Sequence, residues 1–157
     1  MAEITYSAGT NGFTVAPFDL LTTELNSLAT GNTAISSVGG SSGVFSQTQT
    51  LGYIWGVLCF VSGGSFTPTG GGIDVWFLGK DDDANHQKYT ANADQARAPD
   101  AYINFLATAH ASGDVVGARG LTRLPAHPFK VLARPTPGVS LPSSGNKIKL
   151  GCIAVGG

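Results

Sequence analysis

The stretch LGYIWGVLCFV, residues 51–61, decides the fold class. Its apolar residues fall on both parities, with Leu51, Tyr53, Trp55, Val57 and Cys59 on one side and Ile54, Leu58 and Phe60 on the other. A strand that is buried on both faces, or central and covered by a partner, reads this way. The run is the longest apolar stretch of the chain, about half of what a membrane-spanning helix needs, and two glycines break it. It is therefore read as a core strand.

Outward from this strand the text continues in the same idiom. SGGSFTPTGGG is a long turn, and IDVWFLG (73–79) sets Ile73, Val75 and Phe77 against Asp74, Trp76 and Leu78. The polar stretch DDDANHQKYTANADQARAPD (81–100) reads as an excursion between strands, followed by strands in AYINFLATA and GDVVGARGLTRL. FKVLARP alternates strictly, with Phe129, Val131 and Ala133 opposed to Lys130, Leu132 and Arg134. KIKLGCIAV alternates again through Ile148, Leu150, Cys152 and Ala154. Many short strands separated by Gly, Pro and Asn are the pattern of an all-β sandwich or barrel.

The N-terminal part differs. Residues 1–19 read as an extended arm, in which Ile4, Tyr6, Phe13, Val15 and Phe18 are interspersed with small polar residues, Gly9, Gly12 and Pro17. It lies either along its own domain as an edge strand or along a neighbour. DLLTTELNSLATG (19–31) reads as one short helix, with Leu21, Leu25 and Leu28 at helical spacing and Gly31 at the position of a left-handed cap. Residues 20–157 then form a single β-sandwich domain, as the length prior suggests. SLATGNTAI (27–35) is echoed by SLPSSGNKI (140–148), which predicts one Gly-Asn turn device used twice before a strand.

Charge narrows the function classes. Charged residues make up 12% of the chain, against about 25% in an average soluble domain. Residues 1–79 carry no Lys or Arg and a net charge of −4, while residues 80–157 carry all nine basic groups and a net of +3. No basic footprint for nucleic acid and no polybasic or amphipathic segment for a membrane surface is present in the sequence. The opening MAEITYSAG lacks the basic and apolar regions of a secretory signal, which points to synthesis in a cytoplasm. There Cys59 and Cys152 are expected to be free buried thiols, although neighbouring strands would leave a disulfide geometrically open.

Motifs for chemistry are weak. Gly39-Gly40-Ser41-Ser42-Gly43 matches G-x-S-x-G, and Asp114 and His127 follow in hydrolase order, but no buried strand precedes the serine and no helix follows it. Asp81, Asp83 and Asn85 open like a calcium loop, yet His86 and Asn92 stand where Gly and a bidentate Glu are required. A solvated acidic turn is the default there, with a weak cation surface as the alternative. His86, His110 and His127 are too dispersed to start a zinc site. Trp76, if exposed, would join Asp81 and Asp83 as a glycan-stacking surface, whereas Trp55 and Phe77 read as core. No catalytic residues, no metal site and no cofactor are expected, and the chain does not read as an enzyme.

The order of landmarks carries more information than any single motif. TELNSLATGN, WG…SGGSFTPT…IDVWFL, RAPD, LTRLPAHPFKVL and GVSLPSSGNKIKL, spread over residues 20–155, resemble the capsid decoration (cement) proteins of tailed bacteriophages. The Lys/Arg-free first half and the Gly70–Gly72 run depart from that pattern and bear on which surface would bind. The resemblance implies a jelly-roll fold, a place on the outer capsid surface of the virion and a major capsid protein as partner. It also implies a homo-oligomer, dimer or trimer, that holds neighbouring capsid subunits together. Ile4, Tyr6, Phe13 and Phe18 would then be the arm's capsid or subunit contacts. A carbohydrate-binding jelly roll of a tail or fibre is the alternative.

Overall fold

The computed structural model describes residues 2–4, 18–36, 45–47, 54–79, 101–112, 116–123, 125 and 129–153. They form strands β1 (Ala2–Ile4), β2 (Phe18–Leu21), β3 (Ala34–Ile35), β4 (Phe45–Gln47) and β5 (Ile54–Val61). Strands β6 (Gly72–Gly79), β7 (Ala101–Leu106), β8 (Val116–Thr122), β9 (Phe129–Pro135) and β10 (Lys147–Ile153) complete the set. One sheet runs β1-β4-β9-β6-β7, with β3 also on β9, and the other runs β2-β10-β5-β8. All pairs are antiparallel except β1 with β4, which is parallel.

The alternation read in the sequence sets the core. Ile73, Val75 and Phe77 of β6 and Phe129, Val131 and Ala133 of β9 enter it from one sheet. Val57, Cys59 and Val61 of β5, with Ile148 and Leu150 of β10, enter it from the other. The chain is thus an all-β protein built on two sheets with a shared apolar interior. β5 is central in its sheet, flanked by β10 and β8. The side chain of Trp55 is outside the described residues.

Along one side the sheets approach closely. A Cβ added at Gly120 of β8 would stand 2.6 Å from Cγ2 of Ile103 on β7. Only glycine lets the two edge strands meet at that point, since real Cβ contacts do not fall so short.

The stretch 19–31 does not form the short helix its leucine spacing predicts. Its first residues belong to β2, paired with β10 through Asp19↔Lys149 and Ile148↔Leu21. A single 3₁₀ turn follows at Thr23–Leu25. The register shifts between Ile148 and Lys149, and this irregularity accompanies burial of the consecutive Leu20 and Leu21. Thirteen residues with few turns to offer nucleate poorly as a helix, and a neighbouring strand gives the leucines a better apolar partner. Strand β2 also spans the boundary drawn between arm and domain at residues 19 and 20. Most of the arm lies outside the described residues.

The echo at 27–35 and 140–148 has a structural counterpart. Gly31 and Gly145 both have positive φ, 81° and 74°, and strands β3 and β10 begin shortly after them. The two segments also lie side by side, since Ser27 N donates to Pro142 O at 2.9 Å and Leu141 N donates to Leu28 O at 3.0 Å. One turn device is used twice, and the two copies hold each other.

Candidate functional site

The outward face of β6 carries the most polar chemistry among the described residues. Asp74, Trp76 and Leu78 alternate with the core positions, and the register places Asn104 of β7 and Arg134 of β9 on either side of Asp74. Trp76 is flanked in the same way by Tyr102 and Leu132. Asp74 is 9% exposed, so its carboxylate needs partners. The Tyr102 hydroxyl donates to Oδ1 at 2.6 Å, and the Asn104 amide donates to the same oxygen at 2.8 Å. Arg134 stands 3.8 Å from Oδ2, close enough for charge attraction without a direct hydrogen bond.

The aromatic groups complete the patch. The Arg134 guanidinium lies 5.1 Å from the Trp76 ring centroid, and the Trp76 and Tyr102 rings are 5.7 Å apart. Arginine therefore serves a carboxylate and an indole face together. The hydrogen bond to Asp74 pushes the Tyr102 hydroxyl above its ordinary pKa, with desolvation and the Asp74 charge acting in the same direction. That hydroxyl keeps its proton and is committed to Asp74. The arrangement is a hydrogen-bonded platform, suited to contact and recognition.

Trp76 is half-buried in this patch. Its expected companions Asp81 and Asp83 lie outside the described residues, as do Ser41, Asp114 and His127 of the G-x-S-x-G reading. Of the proposed arm contacts, Ile4 lies on β1 opposite Gln47, and Phe18 lies on β2 opposite Leu150. Tyr6 and Phe13, and the side chains of Ile4 and Phe18, are outside the described residues. Sequence reading did not assemble Asp74, Tyr102, Asn104 and Arg134, because their proximity depends on the pairing of three strands. A charged Asp74 inside an otherwise apolar strand was the available signal that cross-strand partners must exist.

Other candidate features are closed. Cys59 is free and buried, and burial pushes its thiol up to about 12. Strands β5 and β10 are neighbours, but Cys59 faces Ile148, while Cys152 faces Trp55, four residues along. Four residues of strand are about 13 Å, beyond disulfide reach. Cys59 is expected to stay unreactive toward a thiol reagent at pH 8 in the native protein and to react fully in denaturant; rapid labelling without denaturant would contradict its burial. A depression of about 10 Å³ between Cys59, Ile73 and Phe105 has room for one water at most. Among the described residues no cluster of three or more His, Cys, Asp or Glu is placed to hold a metal ion. Comparison with protein-family models, curated proteins and solved structures finds no match to this chain.

Proposed function

We propose that this chain is a structural virion protein of a tailed phage, bound to the outside of the capsid and stabilising contacts between major capsid subunits. The observation that carries the reading is strand order. Taking β2, β4 and β5 through β10, the sheets run β2-β10-β5-β8 and β4-β9-β6-β7. Successive strands switch sheets except between β6 and β7, and the first and last of the eight pair with each other, β2 at the end of its sheet and β10 just inside it. Two interlocked Greek keys produce this order, which supports the jelly roll that the landmark resemblance implies and that is frequent in viral capsid proteins.

The N-terminal strand gives the attachment a physical route. β1 adds in parallel to β4 at the edge of its sheet, through Ala2↔Phe45 to Ile4↔Gln47. Strand addition of this kind supplies affinity through backbone hydrogen bonds, so the segment carrying Ile4 and Tyr6 is suited to pairing with a neighbouring subunit. Multivalent attachment of an oligomer would raise avidity without tight individual sites. Adding the purified protein to mature capsids that lack it is expected to raise the temperature at which packaged DNA escapes. Unchanged release would contradict a stabilising role.

A carbohydrate-binding module is the second reading, favoured by the Trp76, Tyr102, Asn104 and Asp74 platform, since jelly rolls also serve as lectin domains. A glycan screen with and without calcium separates the two. Specific binding that Trp76→Ala abolishes would favour the glycan.

A further inference from the structure

We infer that the chain forms a twofold dimer by antiparallel pairing of strand β7 with β7 of a second copy, centred on Asn104. Among the described strands, β7 ends its sheet beyond β6 and β8 ends the other sheet beyond β5. The exposed large apolar side chains among the described residues all lie on these two strands, with Leu106 78%, Leu121 58% and Tyr102 50% exposed. Open strand edges are normally protected by charge or proline. Ala101–Leu106 has neither.

The charge pattern selects a second copy as the occupant. Pairing about a twofold axis brings each charge near its own kind, and like charges across a strand pair repel. Of the other strands with a single neighbour, β1 carries Glu3, β2 Asp19 and β8 Arg119, while β3 is uncharged but only two residues long. AYINFL, the sequence of β7, carries none. Of the described strands with one free edge and more than two residues, it is the one that can meet itself without a like-charge penalty.

Side-chain alternation then fixes the register. Tyr102, Asn104 and Leu106 point outward, while Ile103 and Phe105 enter the core. A self-pair must set residues of one face opposite each other, so the axis passes beside a single residue. With the axis at Asn104, Tyr102 faces the second copy's Leu106 and Leu106 faces its Tyr102, so both exposed apolar side chains are covered. Ile103 then meets Phe105 of the second copy and extends the apolar interior across the joint. Tyr102 is already held by its hydrogen bond to Asp74, so its ring loses little freedom on pairing. The interface does not depend on a capsid partner, and its failure would leave the capsid reading standing.

Sedimentation of the full chain at micromolar concentration is expected to give a dimer. Leu106→Lys, at a position exposed enough to leave folding intact by circular dichroism, is expected to weaken it about tenfold or more. Under mild oxidation Asn104→Cys is expected to give a covalent dimer with the bridge at residue 104 by peptide mapping. Directly opposed Cα atoms lie about 4.5–5.5 Å apart, within disulfide range. Leu106→Cys is expected to remain uncrosslinked, because its two copies would be about 13 Å apart. A monomer, a trimer, an assembly that Leu106→Lys leaves unchanged, or equal crosslinking at both positions would overturn the inference.

Discussion

Phe129→Ala is expected to destabilise the protein by about 3–5 kcal/mol, the range for removing a fully buried aromatic ring. Phe129 is 0% exposed and its ring lies 5.8 Å from both Phe45 and Phe77. Those contacts join three strands, since Phe129 on β9 is opposite Phe45 of β4 and Gly79 of β6. Phe45↔Phe129 is also the pairing through which β4, and β1 beyond it, reach the rest of the sheet. The cavity would therefore cost transfer energy, ring–ring contact and the anchor of the N-terminal edge. Against a total stability of about 5–15 kcal/mol this is a large fraction. Urea unfolding of the two proteins measures it, and a loss below about 1 kcal/mol would mean that the aromatic cluster does not hold the sheet.

Asn146→Ala is expected to cost about 2–4 kcal/mol and to lower the melting temperature by about 5–15 °C. Asn146 is 0% exposed and its amide is fully engaged. Nδ2 donates to Pro142 O at 2.7 Å and to Asn26 Oδ1 at 3.1 Å, while Oδ1 accepts from Ser62 N at 3.3 Å. One side chain thus ties the turn before β10 to the turn after the 3₁₀ segment and to the end of β5. Alanine leaves the buried Pro142 carbonyl with the Ser27 N–H alone and removes the acceptor of the half-buried Ser62 N–H, while Asn26 Oδ1 keeps only the Asn146 backbone N–H at 3.4 Å. Asn146→Asp is no remedy, because at neutral pH it turns a carboxylate toward two oxygen acceptors. The aspartate variant is therefore expected to melt at or below the alanine variant, and a thermal scan of both checks this order.

The sheets were legible where alternation was strict. Phe129, Val131 and Ala133 against Lys130 and Arg134, and Ile73, Val75 and Phe77 against Asp74 and Trp76, announce their faces because a strand side chain reverses direction at every residue. The 19–31 segment was misread because Leu21, Leu25 and Leu28 fit a helical stripe locally, while the strand pairing that overrides it comes from β10, far along the chain. Strand register is likewise non-local. Nothing near Asp74 in sequence says that Tyr102, Asn104 and Arg134 surround it, so the platform on β6, β7 and β9 became visible only with the pairing. The Gly-Asn echo lay between these cases: its turns could be read locally, but the direct contact between its copies could not.

Association with the shell is tested most directly by co-sedimentation with mature, DNA-filled capsids assembled without this protein. Increasing amounts of purified chain are added and the copies retained per capsid are counted. Saturable binding at a fixed number of copies set by the capsid lattice, with no binding to free DNA, is the expected result. Absence of binding at concentrations where the protein is folded would contradict the capsid reading.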